Sequence, residues 1–158
     1  VIGLSVRTSN HDEMSPKTAR IEKLWDKFFG DTIIAQIPNI LDTERLYGVY
    51  SDYRFTGDTI HYTITAAVRV STLDTIPKGL SGIHIPSQTY AVFDTATGRV
   101  EDILLETWRR IWKSSTDDLN GERAYLVDYE QFDGKDIADP LMSRARIMVG
   151  IRKDNSAE

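Results

Sequence analysis

Residues 21–29 read IEKLWDKFF, and residues 104–112 read LLETWRRIW. In the first stretch Ile21, Leu24, Trp25, Phe28 and Phe29 recur at i, i+3, i+4, i+7 and i+8, the apolar stripe of an amphipathic helix. In the second, Leu104, Trp108, Ile111 and Trp112 recur at i, i+4, i+7 and i+8. Superposing the two places Trp25 over Trp108. The flanks repeat as well. A strand at 2–10 precedes the first helix; ERLYGVYSD (44–52), the turn FTGD (55–58) and TIHYTITAAVRV (59–70) follow it as a hairpin. A strand at 88–94, QTYAVFD, precedes the second helix; RAYLVDYEQF (123–132) and RARIMVGIR (144–152) follow it as a hairpin around DGKDIADP.

The order strand, helix, strand, strand therefore occurs twice, which predicts an α+β fold with a duplicated strand-helix-strand-strand repeat. We expect one domain over 1–158, with repeat one at about 1–72, a Pro- and Gly-rich linker at 73–87 and repeat two at 88–153. Each half is too small to bury a stable core alone. The halves should share one antiparallel sheet, with two main helices on one side and a central groove on the pseudo-two-fold between them. At the level of boundaries, Ser15 reads as the N-cap of the first helix with Pro16 at its first position, and Gly30 as its end. Thr97 or Gly98 reads as the start of the second helix. Glu101 and Asp102 in its first turn and Arg109, Arg110 and Lys113 in its last suit the helix macrodipole. The tail RKDNSAE after Ile151 is polar and is expected to fray.

Bulk properties exclude several function classes. The chain of 158 residues has a net charge of −5, with 41% hydrophobic and 27% charged residues and no cysteine. An acidic chain without a basic stripe carries no footprint for direct nucleic-acid binding and weakly favours cationic ligands. The lack of cysteine removes thiol chemistry and disulfides and fits a cytoplasmic location. No apolar run suits a membrane span, and VIGLSVRTSN does not read as a signal peptide. His11, His61 and His84 are scattered, with no metal-ligand spacing, and no phosphate loop, dinucleotide fingerprint or nucleophile elbow is present. We therefore expect no cofactor, no metal site and no catalytic residues.

Four segments together resemble the effector-binding domain of the GyrI-like family, found as the drug-binding module of some AraC-type and MerR-type transcription regulators. They are YAVF (90–93), WRRIW (108–112), DYEQF (128–132) and RIMVGI (146–151), and YGVYSDY (47–53) is similar to the family's hairpin motif. The resemblance implies a duplicated βαββ fold, a groove for lipophilic or cationic compounds, and contact between Glu130 and the ligand's positive charge. No helix-turn-helix flanks the segments, so the chain reads as a stand-alone module; a homodimer or a DNA-binding partner protein stays open.

Glu130 is the leading site residue. Strand alternation puts Asp128, Glu130 and Phe132 on one face of their strand and Tyr129 and Gln131 on the other. A carboxylate among apolar groups is costly unless paired or hydrogen-bonded, and a bound cation would pair it. Trp25, Trp108 and Trp112 offer faces that attract cations, although core packing explains their spacing as well. Tyr47, Tyr50 and Tyr90 combine an apolar ring with a polar tip. Tyr50 shares a parity with Gly48, whose missing side chain leaves room. Met148 would be an adaptable wall. The leading function is binding of lipophilic, cationic, aromatic small molecules, linked to drug sensing or transcription regulation. A GyrI-like hydrolase of drug-like electrophiles and a protein-interaction role such as topoisomerase inhibition are the alternatives.

Overall fold

The structure, a computed structural model, describes residues 1–137 and 139–153. Strand β1 (Ile2–Ser9) leads through a short 3-10 turn (Asp12–Met14) to helix α1 (Ile21–Gly30) and a four-residue helix α2 (Ile33–Gln36). Strands β2 (Ile40–Thr56) and β3 (Thr59–Val70) form a long hairpin that turns at Gly57, φ +57°, a conformation that favours glycine. The connection that follows contributes the two-residue strand β4 (Ser81–Gly82), so the expected linker is in part a sheet edge. Then come β5 (Thr89–Asp94), helix α3 (Val100–Lys113), helix α4 (Thr116–Leu119), β6 (Glu122–Arg123), β7 (Val127–Asp133), helix α5 (Gly134–Ile137) and β8 (Arg146–Arg152).

Among the described residues all strands join one antiparallel sheet, in the order β4-β1-β3-β2-β7-β8-β5, with β6 on β8. This is the α+β, open antiparallel architecture that the repeat predicts. Without the two-residue strands, the order reads the same from either end: β1-β3-β2 meets β7-β8-β5 at the seam between β2 and β7. At that seam Tyr47 pairs with Gln131, Gly48 with Glu130 and Val49 with Tyr129. The chain offset that carries Tyr47 onto Tyr129 carries Gly48 onto Glu130, so the pseudo-two-fold runs through the Gly48–Glu130 pair.

Both long helices cover the same face. Leu24 and Phe28 of α1 and Trp108 and Ile111 of α3 pack on Leu46, Tyr50, Ile64, Val68, Phe132, Ile147 and Val149 in one core. The opposite face carries a smaller cluster of Tyr47, Val49 and Val127, joined by Ile83, Ile85 and Tyr129. Gln88 Nε2 donates to the Val127 carbonyl at 3.0 Å, and Tyr90 Oη donates to the Pro86 carbonyl at 2.8 Å, tying the connection across that face.

Two helix starts differ from the sequence reading. Helix α1 begins at Ile21, not at Pro16, because Glu13 reaches over the 3-10 turn and accepts from the backbone N–H groups of Arg20 (2.9 Å) and Ile21 (3.4 Å). Helix α3 begins at Val100, two residues beyond Gly98, which bridges to Ser143 instead. Helix α5 occupies part of the expected β7–β8 turn. Of the tail, Arg152 closes β8, and residues 154–158 lie outside the described residues. No described helix is long and apolar enough to cross a membrane.

Candidate functional site

The two helices bring their tryptophans to the Gly48–Glu130 pair from opposite sides. Trp108 Nε1 donates to Glu130 Oε1 at 2.8 Å, and Tyr50 Oη donates to the same oxygen at 2.8 Å. Trp25 lies over Gly48: a Cβ built on Gly48 would stand 3.4 Å from Trp25 Cζ2 and 2.8 Å from Glu130 Oε2. The space that Gly48 leaves is thus taken by the carboxylate. Its role is physical. Strict repetition would place a second acid opposite Glu130, and two buried carboxylates in contact cannot both ionise cheaply. Glycine gives a seam with one acid in it.

Glu130 is 2% exposed. Burial raises its carboxyl pKa from 4.5 to about 7, and the bonds from Trp108 and Tyr50 oppose that rise. Tyr50, itself largely buried, is held well above its ordinary value by burial and by the neighbouring Glu130, so its hydroxyl remains a donor. Among the described residues no donor bonds Oε2 and no cationic side chain pairs with Glu130. The site is a carboxyl group poised between its neutral and charged forms, bonded on one oxygen and set among aromatic rings. Phe132 meets Trp25 edge-on at 5.8 Å between centroids, and Tyr50 meets Trp108 edge-on at 5.1 Å. Outside these, Phe29 stacks on Trp25 and Trp112 on Trp108, and both outer rings are exposed, Trp112 at 58%.

Of the residues singled out from the sequence, Glu130, Tyr50, Trp108, Trp25 and Phe132 converge here, with Trp112 as the outer layer on Trp108. Tyr47, Tyr90 and Met148 do not. Alternation along β2, β5 and β8 sends them to the opposite face, where Tyr90 and Tyr47 both contact the Tyr129 ring, at 5.4 and 6.2 Å, and Met148 sits opposite Tyr129 in register. They cannot line one cavity with Glu130 while the sheet lies between. Two concavities lie away from the seam. One of about 670 Å³ is lined by Phe93, Arg109, Arg110 and Lys113 among others, and one of about 460 Å³ by Arg45, Asp94, Asp133 and Arg146 among others.

The structure adds three residues that the sequence reading leaves out of the site. Asp128, 0% exposed, accepts from Arg123 Nη2 at 2.6 Å, from the Gly150 backbone N–H at 2.8 Å and from the Tyr53 hydroxyl. Tyr53 reaches this face only because a bulge between Ser51 and Arg54, with Asp52 at φ +52°, breaks the alternation of β2. Regular parity would send Tyr53 away from Tyr50, so only a bulge signal would have found it. Arg123 leaves no periodic trace; its one hint is its place a few residues before Asp128.

Comparison with known proteins agrees with this architecture. A family model for Cass2, the integron-associated effector binding protein, matches residues 1–143. YobU of Bacillus subtilis strain 168, named as a candidate transcriptional regulator, is 32% identical over 151 residues, 96% of this chain and 91% of its own length. The crystal structure of an integron cassette protein from the mobile metagenome of Vibrio cholerae superposes with a TM-score of 0.70 at 26% identity, covering 96% of this chain and 88% of that one. A structure from Staphylococcus aureus MU50, named for bacterial transcription regulation, shares the fold with a TM-score of 0.64 at 15% identity, covering 96% of this chain and 90% of that one. With its GyrI-like fold and a match over nearly its whole length, the chain belongs to the Cass2 family of integron-associated effector binding proteins.

Proposed function

We propose that this chain binds lipophilic, cationic, aromatic effectors at the Trp25–Gly48–Glu130–Trp108 seam and serves transcription regulation as a sensor rather than as an enzyme. The observation that carries the reading is the state of Glu130: a carboxyl group 2% exposed, with hydrogen bonds but, among the described residues, no cation to balance its charge. Leaving a buried charge unpaired costs several kcal/mol, of order 3–5 when a partner is removed from a buried pair. A ligand cation removes that cost; a neutral ligand does not. The ligand's rings supply apolar burial against Trp108, Trp25 and Phe132, and the tryptophan faces add cation–π attraction of roughly 0.5–2 kcal/mol. The exposed Trp112 and Phe29 are the outermost rings of the two stacks, so an aromatic ligand approaches along them and turns the inner rings aside as it binds. The effector-binding family and the regulator names of its relatives support the wider role, exerted through a DNA-binding partner protein or a second copy.

Calorimetric titration with rhodamine 6G against a neutral rhodamine of the same shape tests this. The cation is expected to bind more tightly. Glu130→Gln should lose about tenfold or more for the cation, about 1.4 kcal/mol, and little for the neutral compound. Because the ionised acid is the binding form, wild-type affinity for the cation should be about tenfold weaker at pH 6 than on the plateau reached near pH 8, given an acid that titrates at about 7. Equal binding of the neutral compound would remove the reading. Conversion of the ligand, followed by mass spectrometry, would favour a hydrolase instead.

A further inference from the structure

A cation of the chain itself, Arg123, stands beside the seam. The Arg123 side chain is 11% exposed. Its guanidinium pairs with Asp128, lies 4.2 Å from the centroid of the Tyr125 ring and stands 5.9 Å from that of Trp108, the residue that also donates to Glu130. A buried carboxylate, a tyrosine hydroxyl and two aromatic faces around a planar cation are the chemistry proposed above for an effector. Asp128 and Glu130 project from the same face of β7, two residues apart and so roughly 7 Å between Cα atoms. Arg123 comes from the two-residue strand β6, held between Asn120 at φ +56° and Tyr125 at φ +51°. Its Nε is buried without a hydrogen-bond partner. The guanidinium therefore uses only part of its donor set in a place where an unmet donor is costly.

We infer that Arg123 determines the charge of the ligand this protein accepts: its guanidinium fills a second cation subsite bounded by Asp128, Tyr53, Tyr125 and Trp108, and so restricts the effector site to one positive charge. The inference rests on the reading of Glu130 as the ligand's charge partner. With Arg123 in place Asp128 is neutralised, and Glu130 is the one acid left for a ligand. Without the guanidinium, two acids on one strand face lack a counter-charge, and a cavity of guanidinium shape opens beside Trp108.

The test compares benzamidinium with a series of bis-benzamidinium compounds joined by alkane linkers of increasing length, titrated by calorimetry. Amidinium is chosen because it meets a carboxylate in the two-pronged manner of arginine. Wild type should bind the best dication no more than about twofold better than the monocation, the statistical factor for two identical heads. In Arg123→Met that ratio should rise at least tenfold at one linker length. In the double variant Arg123→Met/Asp128→Asn it should fall back to the wild-type value. Arg123→Gln keeps a donor to Asp128 and most of the volume, and should show the same rise if the methionine variant does not fold. An unchanged ratio in the folded single variants overturns the inference, as does an equal rise in the double variant. Collapse of both single variants also overturns it, since the pair would then be a folding requirement. Loss of monocation binding in Glu130→Gln keeps the underlying reading in place whichever way the Arg123 variants fall. Unaltered binding in Glu130→Gln would remove that reading itself.

Discussion

At Glu130, burial lifts the carboxyl pKa from 4.5 to about 7, while the Trp108 and Tyr50 bonds draw it part of the way back. In the unfolded chain the group returns to its ordinary value. Between those two pH values the native state therefore holds a proton that the unfolded state has lost. The stability this group contributes is fully present below about pH 4.5 and is lost as pH rises through about 7. Each pH step of one between the two values is worth ~1.4 kcal/mol, so the whole change is about 3 kcal/mol. This is opposite in sign to the usual buried, ion-paired carboxylate. Glu130→Gln removes the titration while keeping an oxygen to accept from Tyr50 and Trp108. Urea unfolding of both proteins at pH 5, 6, 7 and 8 should show wild type losing about 2.5 kcal/mol relative to the variant across that range, with the change nearly complete by pH 8. Parallel pH profiles for the two proteins would mean that Glu130 does not titrate in this window.

The six long strands and the two long helices were legible as elements, because each buries one face and so writes its period into the sequence; the two-residue strands β4 and β6 are too short to do so. The tryptophan stripe placed both helices, and alternation along DYEQF put Asp128, Glu130 and Phe132 on one face, which the structure shows to be the covered one. The rest depends on interactions that periodicity does not encode. Tyr47, Tyr90 and Met148 have pocket-like chemistry but opposite parity. Tyr53 is carried to the covered face by the bulge at Asp52, and the start of α1 is set by a residue outside the helix. Glu13 explains that start. Its carboxylate accepts from the hydroxyl of buried Thr8 on β1 and from the first N–H groups of α1, so it caps the helix and anchors it to the sheet at once. A side chain that caps a helix typically contributes ~1 kcal/mol, and leaving the Thr8 hydroxyl unpaired adds a further cost. Glu13→Ala should therefore lower stability by about 2 kcal/mol in urea unfolding at pH 7. Hydrogen exchange should locate the loss in the first turn of α1. A loss below ~0.5 kcal/mol, within the range of an ordinary surface substitution, would show that the turn at Asp12–Met14 fixes the helix start without the cap.

At the scale of the whole molecule, seven-residue pairing along the β2–β7 seam and a core shared across it lead us to expect that the two repeats form one folding unit. Seven residue pairs cross it, from Arg45↔Asp133 to Ser51↔Val127, and the covered face joins Leu24 and Phe28 of one repeat to Trp108, Phe132 and Ile147 of the other. A polypeptide of residues 1–72 alone would leave the ladder edge of β2 unpaired and half of that core in water, and one of 73–153 would do the same to β7. Neither piece should fold by itself: each should lack the near-ultraviolet circular dichroism of fixed aromatic rings and show no cooperative melt. Mixed at equal concentration, the two should recover the native spectrum in a concentration-dependent way. The intact chain should unfold in a single transition, with the slowest-exchanging amides in β2, β3 and β7. The effector enters this equilibrium because its site is built from both repeats: Trp25 and Gly48 from one, Trp108 and Glu130 from the other. A cation bound at the seam stabilises only the assembled state, so saturating rhodamine 6G should lower the concentration at which the two pieces combine. If residues 1–72 melt cooperatively on their own, the repeats are separable domains, and the seam would be an interface between folded halves instead of the centre of one fold.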